Sequence, residues 1–126
     1  MEVIIYKRKR CVLVVDDQPK LLRFVEIDLK LRGYEVATTT SGEEALKLIK
    51  PDWPDIMLLD MVMPEIDGFE VLRRLRSFSR LPVIAFSASH GSQEEAMKCG
   101  ANDFLNKPFR SDEMVRRIHG LLKISP

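Results

Sequence analysis

The sequence predicts one α/β domain built on a five-stranded parallel sheet with helices on both faces. Two observations carry that expectation. Short apolar runs alternate five times with segments whose apolar residues recur at helical spacing. The connections are short and no low-complexity linker divides them, so each strand returns through a right-handed helical crossover.

Val12-Leu13-Val14-Val15 is a continuous β-branched apolar run that stops at Asp16-Asp17, as a strand buried on both faces would. Pro19 suits a first helical position. Leu21, Leu22, Val25, Leu29 and Leu31 follow near helical spacing until Gly33 supplies a stop. Residues 34–40 form a second strand, and Ser41-Gly42-Glu43-Glu44 fits a capping box ahead of Ala45, Leu46, Leu48 and Ile49. Residues 55–60 (DIMLLD) are a third strand ended by Asp60. The loop Met63-Pro64-Glu65-Ile66-Asp67-Gly68 leads into Phe69, Val71, Leu72 and Leu75 of the next helix. Residues 81–86 make a fourth strand, residues 93–99 a short polar helix closed by Gly100, and residues 103–107 a fifth strand interrupted by Pro108. Ser111 is expected to cap a last helix through Met114, Val115, Ile118, Leu121 and Leu122.

A chain of 126 residues, 45% of them hydrophobic, builds one core and needs neither disulfide staples nor a structural metal to fold. Lys plus Arg total 20 against 19 for Asp plus Glu, a balance that gives no general attraction to nucleic acid or anionic membrane. Neither is expected as a direct partner. Cys11 and Cys99 match no CxxC spacing and read as reduced thiols. Val3-Ile4-Ile5-Tyr6 precedes Lys7-Arg8-Lys9-Arg10, the reverse of a signal peptide, so a cytoplasmic location is expected. Residues 1–10 read as a solvated N-terminal arm and 11–124 as the domain, with no effector domain expected. His119 reads as an ordinary surface residue.

In a doubly wound sheet the ligand site lies beyond the carboxyl ends of the strands, where strand order reverses. Asp16 and Asp17 follow the first strand, Asp60 ends the third, Ser87 follows the fourth and Lys107 ends the fifth. Each alone could be a cap or a solvated side chain; together they are expected to converge on one rim. Three carboxylates gathered there repel one another unless a cation sits among them. With oxygen ligands only, the expected ion is Mg²⁺ rather than Zn²⁺, and Ca²⁺ would find too few protein ligands. A carboxylate beside a metal and a lysine can act as nucleophile toward a phosphoryl donor. No GxxxxGK[ST] loop, GxGxxG turn or Ser/His pair suggests nucleotide binding or acyl transfer.

These residues resemble the receiver domains of two-component response regulators over about residues 11–123. The resemblance rests on Asp16-Asp17, on Asp60 within D-M-V-M-P-E-I-D-G, on Ser87 in A-F-S-A and on Lys107 in D-F-L-N-K-P-F. It implies a flavodoxin-like (βα)5 fold of strand order 2-1-3-4-5. It also implies that Asp60 accepts a phosphoryl group from a histidine kinase or histidine phosphotransfer protein. Asp16, Asp17, Asp60 and the backbone carbonyl of Val62 would hold Mg²⁺. Ser87 and Lys107 would bind the phosphoryl group. Drawing Ser87 inward would vacate space for Phe104, the aromatic switch, and the Lys107-Pro108 bond would be cis. A downstream effector would read the face made by the fourth helix, fifth strand and fifth helix, and dimerisation on phosphorylation is one outcome the resemblance allows. Val62 and Ser89 stand where relatives tune phosphoryl lifetime, and an apolar Val62 offers no general base. Such a domain signals rather than turning over a metabolite. A degenerate, binding-only receiver would not keep Asp60 and Lys107. A phosphohydrolase would want a second carboxylate two residues past Asp60, where Val62 stands.

Overall fold

The computed structural model describes residues 8–89 and 91–123, so residues 1–7 of the expected arm and residue 124 of the expected domain lie outside the described residues. Its strands are β1 (Cys11–Val15), β2 (Glu35–Thr39), β3 (Ile56–Asp60), β4 (Val83–Ser87) and β5 (Asp103–Asn106). The helices are α1 (Pro19–Leu31), α2 (Gly42–Leu48), α3 (Gly68–Arg76), α4 (Ser92–Lys98) and α5 (Ser111–Leu122). All strand pairs are parallel, in the order β2-β1-β3-β4-β5, the order the resemblance implied.

The two-residue repeat of a strand divides the core into two layers. Leu13, Val15, Met57, Leu59, Val83 and Ala85 face α2, α3 and α4 through Ala45, Val71, Leu72, Leu75 and Ala96. Val12, Val14, Ile56, Leu58, Ile84 and Phe86 face α1 and α5 through Leu22, Val25, Leu29, Met114, Val115 and Ile118. Covering both faces is why β1, β3 and β4 read as unbroken apolar runs; each is buried along its whole length. At the edge, β2 exposes Glu35.

Helix ends depart from the sequence reading in three places. Ser41 caps α2 by accepting from the Glu44 amide at 3.2 Å, but its own amide donates to Thr39 Oγ1 at 3.1 Å, so only half of the expected capping box forms. Asp67 caps α3 through the Glu70 amide at 2.9 Å, a cap the loop reading missed. Ser111 is not a cap. Arg110 takes the N-cap position, and the Ser111 hydroxyl, already one residue inside α5, donates to Asp28 and accepts from Arg32 at 2.8 Å. An acid on α1 and the guanidinium at its C-cap outcompete the local amides for that hydroxyl.

Arg76 closes α3 by donating to the Gly100 and Ser79 carbonyls at 3.0 and 3.1 Å and to Asn102 Oδ1 at 3.0 Å. Asn102 in turn accepts from the Val83 amide at 2.8 Å, so one side chain ties the end of α3 to the start of β4 and the approach to β5. The Lys107-Pro108 bond is cis, and so is Trp53-Pro54, which nothing in the sequence reading singled out.

Gly68 marks where α3 meets the end of β3. Its amide donates to the Met61 carbonyl at 3.0 Å, and a Cβ there would lie 2.4 Å from the Asp60 carbonyl oxygen and 2.6 Å from Met61 Cα. Both obstacles are backbone and cannot swing away. Gly68→Ala should therefore cost about 2 to 3 kcal/mol, the upper range of overpacking, and lower the melting temperature by about 10 °C. Thermal melts decide it, and an unchanged melting temperature would contradict the close approach.

Candidate functional site

Strand order reverses between β1 and β3, because α1 leaves β1 toward one face and α2 reaches β3 across the other. Asp16 lies just past the end of β1 and Asp60 is the last residue of β3, so the reversal brings the two carboxylates together. One carboxylate oxygen from each of Asp16, Asp17 and Asp60 lies within 4.8 Å of the others. Asp16 and Asp60 are buried, and Asp17 is half-buried at the mouth.

Asp16 is fully enclosed, and both its oxygens are satisfied: Oδ1 accepts from the Gln18 amide at 2.8 Å and Oδ2 from Lys107 Nζ at 2.8 Å. Asp60 is served less well. Its Oδ1 accepts from the Val62 amide at 3.2 Å, and its Oδ2 stands 3.5 Å from Lys107 Nζ. Burial is the main reason its pKa is pushed up to about 6; the Asp16 charge adds to the rise, while the Val62 amide and Lys107 oppose it. Three carboxylates against one ammonium leave a formal charge of −3 + 1 = −2 in this rim.

That charge tests the fit of a metal. The donor set is oxygen only and carries an excess of negative charge that the side chains do not cancel, which suits a hard divalent cation such as Mg²⁺. The side chain of Val62 points outward and is 59% exposed, placing an apolar group at the mouth.

Ser87 is buried at the end of β4, with Oγ accepting from the Ser89 amide at 3.0 Å. Among the described residues its own proton has no acceptor. The Lys107 amide donates to the Ser87 carbonyl at 2.9 Å, which joins the ends of β4 and β5 on the rim. Phe104 lies in the core cluster with Ala85, Ala96 and Ala101 and is only 4% exposed. The ring is thus already inside, so a change at Phe104 would be a repacking rather than a swing in from solvent.

The sequence reading named Asp16, Asp17, Asp60, Ser87 and Lys107 for this rim, and the structure brings them there. It missed the amides of Gln18 and Val62, which no side-chain pattern reveals. It also missed Phe86, whose ring lies 4.9 Å from Lys107 Nζ. The signal was available: Phe86 precedes Ser87, so alternation turns it to the other face of the same strand end.

The chain matches the family model described as response regulator receiver domain over residues 12–119. The transcriptional regulatory protein KdpE of Mycobacterium tuberculosis is 39% identical over 114 residues, which are 89% of this chain and 50% of that protein. The chain spans about half the length of the curated relatives it matches. The receiver domain of the Francisella response regulator 1452 superimposes with a TM-score of 0.84 at 36% identity, covering 91% of this chain and 98% of that one. The Vibrio cholerae chemotaxis protein CheY4 does so with a TM-score of 0.81 at 28% identity, covering 90% and 99%. Among the described residues, no helix is long and apolar enough to cross a membrane. With the family model covering most of its length, this chain belongs to the response regulator receiver domains of two-component systems.

Proposed function

We propose that the chain receives a phosphoryl group on Asp60 in a Mg²⁺-dependent transfer and passes that event on as a change of shape. The carrying observation is Asp60: a buried carboxylate at a strand end, held at one oxygen by the Val62 amide and facing an ammonium at the other. A carboxylate oxygen attacks the phosphorus of an activated donor, a phosphohistidine on a histidine kinase or phosphotransfer protein. The new P–O bond forms as the donor's P–N bond breaks, and the imidazole leaves with the electron pair.

Asp16, Asp17 and Asp60, with the Val62 backbone carbonyl, would hold Mg²⁺, which screens the negative charges of acceptor and phosphoryl group from one another. Lys107, within reach of Asp60, pairs with a phosphoryl oxygen. Ser87 donates its free proton to another while its oxygen still accepts from Ser89. Those bonds, each worth about 1.5 to 3 kcal/mol when charge-assisted, suffice to shift a balance of a few kcal/mol. Phe104 sits between β4 and α4 in the core, so repacking there would reshape the face of α4, β5 and α5 that a downstream effector or a second copy reads. The exposed Val62 side chain supplies no base for an attacking water, which favours a slow loss of the phosphoryl group. Cys11 and Cys99 are unpaired thiols, in keeping with a cytoplasmic role.

Asp60→Asn should keep the fold and lose the chemistry, because the amide preserves the volume and is no longer an anionic nucleophile. Intact mass after treatment with acetyl phosphate and Mg²⁺ reads the outcome. A stoichiometric adduct on the variant at the wild-type rate would remove the assignment.

The same variant should stabilise the metal-free protein, with a defined pH dependence. A carboxyl whose folded pKa is raised from 3.8 to about 6 costs nothing below the unfolded value, and its penalty grows as pH rises through the folded one. The gain of Asp60→Asn over wild type should thus be near zero at pH 4, grow between about pH 4 and 6, and level off above. Discounted for water at the mouth, the plateau should be about 2 kcal/mol. Denaturant melts across that range test it, and a gain independent of pH would contradict the burial account.

Mg²⁺ should raise the stability of wild type through binding to the folded state, and Asp17→Asn should lose most of that gain. Melts with and without Mg²⁺ compare them. An equal Mg²⁺ increment in both would exclude Asp17 as a ligand.

A further inference from the structure

We propose that Phe86 is a positioning residue: its π face holds the Lys107 ammonium between Asp16 and Asp60, and Phe109 sets the orientation of that ring. The role rests on reading Asp60 as the phosphoryl acceptor; the contact itself does not.

Phe86 is the direct register partner of Asp60 across β3 and β4, and of Leu105 across β4 and β5. Side chains two residues apart share a face, so Lys107, two beyond Leu105, starts from the side on which the Phe86 ring lies. The ring is 2% exposed, and Lys107 Nζ stands 4.9 Å from its centroid, inside the range of about 6 Å over which a ring quadrupole attracts a cation. On its other sides the ammonium meets Asp16 Oδ2 at 2.8 Å and Asp60 Oδ2 at 3.5 Å. Two carboxylates and one aromatic face therefore bracket the lysine head.

Phe109 meets Phe86 edge-on, with centroids 5.9 Å apart and planes at 77°. That is the favoured edge-to-face arrangement. One short stretch beyond β5 thus supplies both the lysine and the ring that orients its support.

An aliphatic residue could fill the volume beneath Lys107 but would offer the cation no attraction and would charge it the full cost of lost hydration. A lysine also has a long stem with much rotamer freedom to lose. Fixing the head before the donor arrives removes that ordering from the transition state, where a pre-placed charge is most effective.

Site-specific replacement of Phe86 by mono-, di- and trifluorinated phenylalanine keeps the shape and progressively weakens the negative face of the ring. The rate of adduct formation with acetyl phosphate and Mg²⁺ should fall step by step, to about three- to tenfold below wild type at the third fluorine, with the melting temperature unchanged. A merely structural ring would give a flat series, and a flat series overturns the proposal. The contact has its own readout in the metal-free, unphosphorylated protein. The Lys107 ε-methylene protons should be shifted upfield by the ring current and should lose that shift in Phe86→Leu; a Lys107 signal that does not move overturns the contact. A wild-type protein that shows the ring-current shift yet takes no phosphoryl group would overturn the Asp60 reading, and the positioning role with it, while leaving the contact standing.

Discussion

The 2.8 Å bond between Lys107 and Asp16 is the constraint around which the site is arranged. It spans the sheet from beyond β5 to beyond β1, passing the ends of β3 and β4 that lie between them in the order β2-β1-β3-β4-β5. A buried ion pair of this kind is poor evidence for stability, because desolvation of the two charges offsets most of their attraction. What it supplies is position. With Asp16 satisfied on both oxygens, the carboxylate left with the weaker ties is Asp60.

The packing of the rest of the molecule holds that rim in place. The apolar layers on either face lock β1, β3 and β4, and Gly68 brings α3 against the backbone of Asp60 and Met61. Arg76 ties the far end of the sheet through uncharged acceptors, with burial lowering its pKa and no carboxylate among its hydrogen-bond partners. By contrast, α4 is short, starts at Gly91 in a left-handed conformation without a side-chain cap, and buries only Ser92 and Ala96. It lies directly after the β4 end that carries Ser87.

Most strands and site residues are legible in the sequence for a shared reason: a strand buried on both faces has no freedom to be polar until it ends, so Asp16, Asp60 and Ser87 stand out against the apolar runs of β1, β3 and β4. Helix starts were less legible, because a hydroxyl or carboxylate near a helix end has several partners to choose from. Ser111 looks like a cap and instead serves Asp28 of α1 and Arg32 at the C-cap of that helix, a contact 83 residues away in sequence for the acid. Asp67 lay in a loop reading and proved to be the cap of α3. The amides that hold Asp16 and Asp60 carry no sequence signature at all, since every residue but proline has one. The resemblance makes Phe104 a switch, and no sequence pattern shows that it shares its core cluster with Ala85 of β4, Ala96 of α4 and Ala101 of the connection to β5.

The uneven sharing of Lys107 has a chemical consequence. Had the ammonium sat closer to Asp60 than to Asp16, it would have stabilised the carboxylate it faces and made it less basic. At 3.5 Å from Asp60 and 2.8 Å from Asp16 it neutralises mainly the neighbour and only partly opposes the burial that pushes the Asp60 pKa up to about 6, the direction that makes a carboxylate oxygen more basic. A phosphoryl group formed on Asp60 would bring more negative charge than the carboxylate it replaces, and the ammonium would then have reason to shift toward it. Asp16, already bonded to the Gln18 amide, can release the lysine without being left wholly unsatisfied. The resting bond to Asp16 therefore keeps the lysine near Asp60 without spending its charge there.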